Sequence, residues 1–220
     1  MSLLRNREAN PHAPVTNIEL FFDLVFAYAV TQLSHLLLNN LSGIGVLQTG
    51  LLFLAVWGVW IYTSWVTNWL DPERIPVRLA MLLLTLAGLV MSVSLPEAFG
   101  PRAHVFALVY VAMQVGRSLF TLWALGTDSP HNTRNFQRIT CWLAAAGVFW
   151  VAGAFAKPEL RLALWGIALF LEYVSPALGY FVPGLGQSAT TDWDVEGRHL
   201  AERCGLFILI ALGESLLVTG

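Results

Sequence analysis

The sequence predicts an all-α protein, a polytopic transmembrane helix bundle with about seven membrane-spanning helices. Of its 220 residues, 56% are hydrophobic and only 12% are charged, whereas about a quarter of the residues of soluble domains are charged. Apolar runs of about 20 residues, the length that crosses a bilayer, recur between short loops rich in Pro, Gly, Asn and Asp. Most of the chain therefore cannot face water, and the lipid bilayer is its expected partner.

The first four predicted spans are separated by short polar loops. Thr16 to Leu38 follows the polar stretch MSLLRNREANPHAP, which has no apolar run and no small-residue cleavage site, so no cleaved signal is expected. Leu47 to Trp69 is followed by the charged loop DPER. Pro76 to Leu95 and His104 to Gly126 are again of spanning length.

The last three predicted spans are less regular. Ile139 to Phe155 is short, but it is long enough to cross the bilayer with little tilt. Leu160 to Val182 contains Pro176, which removes a backbone hydrogen bond and predicts a kink. Glu202 to Gly220 ends at LLVTG without a polar flank, so we expect a longer protein to continue beyond it.

These spans divide the chain into a cytoplasmic N-terminal tail, residues 1–15, and a transmembrane helical domain, residues 16–220, truncated at its C-terminus. Cytoplasmic loops of membrane proteins carry the excess of Lys and Arg. With the N-terminus inside, that side collects Arg5, Arg7, Arg74, Arg78, Arg134, Arg138, Arg198 and Arg203. The opposite side receives Arg102, Lys157 and Arg161. The asymmetry predicts a multi-pass protein of the cell inner (plasma) membrane with a cytoplasmic N-terminus.

Charge and motif content argue against several function classes. A net charge of -2, with basic residues scattered singly, provides no surface for nucleic acid. The motifs HExxH, GxSxG, Walker A, CxxC and GxGxxG are absent from the sequence, so no cofactor is predicted and an enzyme is the less expected class. The histidines lack metal-ligand spacing, so no metal site is predicted, although His35 could approach another helix.

The first predicted span carries acids where lipid would be expected. Glu19 and Asp23 are four residues apart and therefore lie on one face of the helix. Glu19 is close to the helix start, where the helix dipole favours a carboxylate, whereas Asp23 lies deeper. An ionised group at the centre of a span costs about 2.5–3.5 kcal/mol, so Asp23 is expected to be protonated, paired or facing a wet cavity.

A cation that could meet these acids lies on the fourth predicted span. The stretch YVAMQVGRSLF places Tyr110, Gln114 and Arg117 on one polar face, at spacings of four and three. Arginine cannot shed its proton, so a buried Arg117 must find an anion. The candidate anions are Asp23, Glu172 and Glu214. We expect Glu19 and Asp23 to meet Arg117 in the interior of the bundle.

The sixth and seventh predicted spans supply further ionisable residues. Glu172 is followed one turn later by Pro176, which suits either a gating element or a Pro-kinked packing helix. Arg203 and Glu214 lie on one face, about three turns apart. The predicted pathway or buried charge network therefore comprises Glu19, Asp23, His35, Gln114, Arg117, Glu172, Arg203 and Glu214.

The second predicted span is rich in tryptophan. Trp57 and Trp60 lie too deep for an interfacial aromatic belt, so they are expected to fill the bundle. An aromatic box for a cation is the alternative. The candidate ligand-lining residues are Trp57, Trp60, Trp65 and Asn68.

Four stretches together resemble the bacterial low temperature requirement A family of membrane proteins. They are ELFFDLVFAYAVTQLSHLL, TNWLDPERIPVRLAML, FALVYVAMQVGRSLF and ERCGLFILIALGESLL. Family members are typically longer, and this chain is similar to their N-terminal portion. The residues that map onto the family motifs are Glu19, Asp23, Asp71, Arg78, Arg117, Glu202, Arg203, Gly213 and Glu214. The family is named for a growth requirement at low temperature, and the resemblance implies no particular substrate or reaction.

Three functional hypotheses follow. The first is a transporter, coupled to protons or handling an ion or small solute, because intramembrane ionisable groups on several helices usually mark pathways. The second is a structural or stress-response membrane protein in which the same charges form a closed ion-pair core. The third is a membrane-embedded enzyme or a ligand-binding receptor that uses the tryptophans with the acids. An oligomer is compatible with each hypothesis.

Overall fold

A computed structural model describes residues 3–5, 14–126, 129–189 and 195–219, and this part of the chain is all-helical, as predicted. One short 3-10 turn, Leu95–Glu97, extends the third helix. The helices are α1 Asn17–Asn39, α2 Gly43–Trp69, α3 Ile75–Ser94, α4 Ala103–Leu125, α5 Pro130–Phe155, α6 Pro158–Val174 and α7 Gly197–Thr219. Gly220, the end of the last predicted span, and residues 6–13 of the predicted tail lie outside the described residues.

Several helix ends follow from local side-chain chemistry. Glu19 reaches back to the start of α1, where its Oε2 accepts hydrogen bonds from the backbone N–H and the hydroxyl of Thr16, both at 2.9 Å. The Ser42 hydroxyl accepts from the backbone N–H of Gly45 at the start of α2. Helices α3, α5 and α6 each have proline in the first turn, where its missing N–H removes no helical bond.

The predicted bounds are wrong by about a turn or more at four helix ends. Helix α2 begins at Gly43 rather than Leu47. Helix α5 begins at Pro130 rather than Ile139, because its first turns are polar and carry no apolar signal. Helix α6 ends at Val174 rather than Val182. Pro176 explains this end, since it has no N–H to donate to the carbonyl four residues earlier. Helix α7 begins at Gly197, one turn before the predicted start.

Five helices are long and apolar enough to cross a membrane by length and composition: α1, α2, α3 with its 3-10 extension, α4 and α5. The prediction of about seven spans is not confirmed. With 17 residues, α6 is about 25 Å long at 1.5 Å per residue, which is short of a hydrocarbon core of about 30 Å. The apolar stretch of α7 is interrupted by Glu202, Arg203 and Glu214.

The packing order of the helices decides which side chains can meet. Helix α1 packs against α2, α3 and α7, whereas α4 packs mainly against α3 and α5, and α5 packs against α6. Helix α2 contacts α1 and α7 on one side and α4 and α6 on the other, so it lies between these two helix pairs. Large apolar side chains such as Leu83, Leu86, Val148 and Phe170 are exposed on the outside, as expected for a surface that faces lipid.

Residues 3–5 hold the end of α2. The backbone N–H of Arg5 donates to the carbonyl of Trp69 at 2.8 Å, and the N–H of Asp71 donates to the carbonyl of Leu3 at 2.9 Å. The Arg5 guanidinium then donates to the carbonyl of Thr67 in the last turn of α2, where the helix dipole favours a positive charge. This short pairing carries the Arg5 side chain inward, toward α1 and α7.

Candidate functional site

The first buried polar cluster, the Asp23 cluster, joins α1, α2 and α7. Asp23 and Arg203 are each the seventh residue of their helix, and both side chains are fully buried. Arg203 Nη2 lies 2.5 Å from Asp23 Oδ1, and Arg203 Nε also donates to Asp23 Oδ2. The indole N–H of Trp60 donates to the same carboxylate at 2.7 Å. Arg203 thus supplies the positive charge that a buried Asp23 needs.

Glu19 forms the second half of the Asp23 cluster. Its carboxylate lies 3.2 Å from Arg5 Nη2, 3.3 Å from His199 Nε2 and 3.7 Å from Arg203 Nη1. The Glu19 side chain is fully buried, and it also caps the first turn of α1 as described above. Two arginines and a histidine therefore surround the two carboxylates, Glu19 and Asp23.

Polar side chains on α2 complete the Asp23 cluster. Thr67 accepts a hydrogen bond from Arg203 Nη1 at 2.9 Å. The Asn68 amide makes two hydrogen bonds to the backbone of Glu196, the residue before α7. It donates to the Glu196 carbonyl and accepts from the Glu196 N–H. Buried polar groups are tolerated when their hydrogen-bonding capacity is used. Buried ion pairs and hydrogen bonds thus join α7 to α1 and α2.

The expected meeting of Glu19 and Asp23 with Arg117 is wrong. Helix α1 packs against α7 rather than against α4, so the seventh helix supplies the arginine. Arg117 instead donates to the carbonyl of Val59, the hydroxyl of Thr63 and the amide oxygen of Gln114, at 3.3, 3.1 and 2.5 Å. Within the part of the chain that the structure describes, no carboxylate lies within ion-pair distance of Arg117.

The second buried polar cluster, the Glu172 cluster, joins α4, α5 and α6. Both oxygens of Glu172, whose exposed fraction is 3%, accept hydrogen bonds. The Tyr110 hydroxyl donates to Oε2, and the Trp150 indole N–H donates to Oε1 at 2.9 Å. The Gln114 amide nitrogen lies 3.5 Å from Oε2, and Arg117 fixes this amide by donating to its oxygen. An indole N–H can only donate, so Glu172 acts as the acceptor.

A cavity of about 200 Å³ borders the Glu172 cluster between α2 and the end of α6. It is partly open to the outside of the bundle, and Glu172 is the one carboxylate among the lining residues that the structure describes. The other lining residues are Trp57, Gly58, Ile61, Tyr62, Trp65, Tyr173, Pro176 and Tyr180. We call this space the Glu172 cavity.

A tyrosine pair closes one side of the Glu172 cavity. The hydroxyls of Tyr62 and Tyr180 are 2.8 Å apart. Tyr180 has a φ of 50°, a left-handed conformation that residues other than glycine rarely adopt, and its side chain is nevertheless buried. The turn after α6 therefore accepts an unfavourable backbone conformation at a residue whose ring lines the cavity.

The predicted site residues fall into two clusters rather than one network. Glu19, Asp23 and Arg203 belong to the Asp23 cluster, whereas Gln114 and Arg117 adjoin Glu172. His35 is exposed on α1, about 18 Å beyond Asp23 along the helix axis, so the expectation that it joins the network is wrong. Glu214 is half-buried, eleven residues beyond Arg203.

The four candidate ligand-lining residues lie on two different sides of α2. Trp57 and Trp65 line the Glu172 cavity. Trp60 and Asn68 face the other side of α2, where they contact Asp23 and the start of α7. The Trp57 ring stacks on that of Trp60 at a centroid distance of 5.0 Å, so this one contact links the cavity wall to the Asp23 cluster.

Sequence reasoning missed Arg5, Trp150 and Tyr180 as site residues. Trp150 lies in the wholly apolar stretch GVFWVAG, and Tyr180 lies beyond the helix-ending proline, so no local signal marks either of them. Arg203 was among the predicted site residues, but its pairing with Asp23 was not predicted, because the predicted seventh span begins only at Glu202 whereas α7 begins at Gly197. Among the residues placed in the structure, no three His, Cys, Asp or Glu side chains gather as metal ligands would.

Comparison with known proteins gives two matches. Residues 14–220 match the family described as Bacterial low temperature requirement A protein (LtrA). The chain is also similar to a protein of Rhizobium meliloti (strain 1021) named Uncharacterized protein RA0937, with 47% identity over 203 residues. This alignment covers 92% of the chain and 49% of the relative, so the chain spans about half the length of the curated relative. No solved structure matches the chain.

Proposed function

The chain belongs to the bacterial low temperature requirement A family of membrane proteins, and we propose that it transports protons, an ion or a small solute, with Glu172 as the central binding group. The observation that carries this proposal is a buried carboxylate in the interior of the bundle that also borders an open cavity. Ionisable residues in such positions usually mark substrate or proton pathways.

The surroundings of the two acids favour Glu172 over Asp23 as the transport group. Asp23 lies in direct contact with Arg203, so a solute would have to break a fully buried ion pair to reach it. Glu172 is held by neutral donors, Tyr110, Trp150 and Gln114. A neutral shell positions the carboxylate without cancelling its charge, and the cavity gives a ligand access to it.

The end of α6 provides an element that could gate the Glu172 cavity. Pro176 has no N–H for the Glu172 carbonyl, and the Ser175 hydroxyl donates to that carbonyl at 2.9 Å instead. Gly179 follows with a φ of 58°, and a Cβ atom there would come within 2.7 Å of the Ser188 carbonyl oxygen. In this proposal, the turn carries Tyr180 away from Tyr62 while a solute enters or leaves, and the bond between the two hydroxyls re-forms once the cavity is closed around the solute.

We further propose an inner-membrane location with a cytoplasmic N-terminus. The support is the distribution of basic residues, eight on the N-terminal side against three on the opposite side. In this orientation the Asp23 cluster lies near the cytoplasmic ends of α1, α2 and α7. Arg5 then joins it from the same side.

Replacing Glu172 by Gln is expected to reduce flux at least tenfold, because the amide keeps the shape of the side chain and removes its charge. Purified protein in liposomes would be tested for proton and monovalent cation flux under an imposed pH gradient. Glu159→Gln is the matched control, since Glu159 is exposed in the first turn of the same helix. Equal flux in Glu172→Gln and wild type, with unchanged gel-filtration profiles, would contradict the central role of Glu172.

A structural or stress-adaptation role without transport is the second candidate, and the closed Asp23 cluster favours it. Its charges are paired within the protein and leave Asp23 and Arg203 fully buried. If the wild type, in liposomes that hold a stable pH gradient, carried neither protons nor monovalent cations, this second candidate would be preferred. The Asp23 and Glu172 clusters would then serve only to fix helix register.

A further inference from the structure

We infer that the Glu172 cavity binds a small organic cation of the alkylammonium type. This inference rests on the transport function proposed above and names its substrate class. Five aromatic side chains and a single carboxylate line the cavity, and none of the described lining residues is Lys, Arg or His. The aromatic residues are Trp57, Tyr62, Trp65, Tyr173 and Tyr180.

The lining fits an organic cation better than an inorganic one. Aromatic rings attract cations through their negative faces, and this attraction is strongest for tryptophan and for cations that have little water to lose. Hard metal ions instead require six or more oxygen ligands, whereas the cavity offers one carboxylate and a few phenolic oxygens. An alkylammonium group can place its methyl groups against the rings and its charge toward Glu172.

The hydrogen bonds of Glu172 suit its role as the counter-ion. The Trp150 indole and the Gln114 amide approach the carboxylate with N–H groups, so both of its oxygens are oriented by donors that carry no charge of their own. Arg117, the nearby cation, reaches Glu172 only through Gln114. Arg117 is not among the described lining residues, but its guanidinium carbon lies 5.4 Å from the centroid of the Tyr62 ring. The cation site therefore depends mainly on the other four aromatic rings.

The size and rigidity of the cavity restrict the ligand further. About 200 Å³ is below the roughly 300–1,000 Å³ typical of drug-sized pockets, so the ligand should be a small cation such as an ion of the size of choline. Trp57 is stacked on Trp60, which is anchored to Asp23, and Tyr62 is bonded to Tyr180. Walls that are already held in place reduce the cost of ordering them on binding.

The test is equilibrium binding of tritiated choline to the purified full chain in detergent. We expect saturable binding that tetramethylammonium displaces. The neutral alcohol dimethylbutanol, which replaces the ammonium nitrogen of choline by carbon, should be at least tenfold weaker as a competitor. Equal competition by this neutral isostere would overturn the inference, since charge would then contribute nothing. Absence of saturable choline binding by folded wild-type protein would overturn it as well.

Two cavity variants and one control test whether the binding occurs in the Glu172 cavity. Glu172→Gln and Trp57→Leu are each expected to weaken choline binding at least tenfold. Trp123→Leu is the matched control, because Trp123 is 64% exposed on α4 and is not a lining residue. Wild-type affinity in both cavity variants would overturn the assignment of the site.

The experiments can overturn the organic-cation ligand and the transport function independently of each other. Flux that depends on Glu172, in a folded protein that binds neither choline nor tetramethylammonium, would overturn the organic cation and leave the transport proposal standing. Choline binding that requires Glu172 and Trp57, without flux of protons, monovalent cations or choline, would support the cation site and overturn transport.

Discussion

Replacing Arg203 by Leu is expected to destabilise the protein by about 3–5 kcal/mol, because removing one partner of a buried ion pair leaves an uncompensated charge. Among the described residues, Asp23 would keep the Trp60 indole as its partner, and Glu19 would lose one of the two arginines that contact it. The effect would be measured as a lower melting temperature and a smaller monodisperse fraction of protein in detergent. Arg198→Leu is the matched control, since Arg198 is exposed in the first turns of the same helix.

A double variant separates charge from packing in the same cluster. Asp23→Leu combined with Arg203→Leu should recover much of the lost stability, because apolar residues can replace a whole buried pair at little cost. Recovery should be incomplete, since Arg203 also bonds Thr67 and lies near Glu19. Wild-type melting of Arg203→Leu alone would show that this ion pair does not hold α7 to α1.

Much of the fold could be predicted from hydrophobic run length. The predicted and observed bounds of the first and fourth helices agree to within one residue, because an apolar run and its polar flanks mark both ends. The first turns of α5 escaped prediction because Pro130 to Arg138 is polar throughout most of its length. Hydrophobicity indicates where a helix crosses lipid, whereas the helix itself can begin earlier in a polar region.

The partner of Asp23 illustrates what the sequence could not decide. Arg117 and Arg203 both lie a few turns from the same end of the bundle, so depth alone permits either partner for an acid on α1. The choice depends on which helix packs beside α1, and α1 and α7 are separated by most of the chain. Lateral packing order of this kind has no signal within a single helix.

The Glu172 cavity was predictable only in part. Trp57 and Trp65 stood out in α2, and Glu172 stood out as an acid within an apolar span. Tyr180 reaches the same space only because α6 ends at Val174 and the following turn adopts a left-handed conformation. Which residues meet around the cavity therefore depends on a helix end and a turn that the apolar pattern did not resolve.

Arg161 provides a different solution for a buried cation. Its side chain, 8% exposed, contacts no acid among the described residues and instead donates to backbone carbonyls at the end of α5 and in the α3–α4 loop. On the α5 side it bonds the carbonyls of Gly153, Ala154 and Ala156, and on the side of the α3–α4 loop it bonds those of Phe99 and Gly100. The last carbonyls of a helix carry partial negative charge, so the C-terminus of α5 compensates the guanidinium.

Replacing Arg161 by Leu should therefore lower stability by about 3 kcal/mol, since each hydrogen bond to a charged group contributes roughly 1.5–3 kcal/mol and buried carbonyls would lose their partner. The stability of Arg161→Lys should lie between those of wild type and Arg161→Leu, because one ammonium group cannot reach the carbonyls of α5 and of the α3–α4 loop at once, as the planar guanidinium does. Melting temperature in detergent is the measurement, and Arg102→Leu is the control, since Arg102 contacts the same loop in a half-exposed pair with Glu97. If Arg161→Leu melted no lower than Arg102→Leu, helix-end carbonyls would not be what keeps this arginine buried.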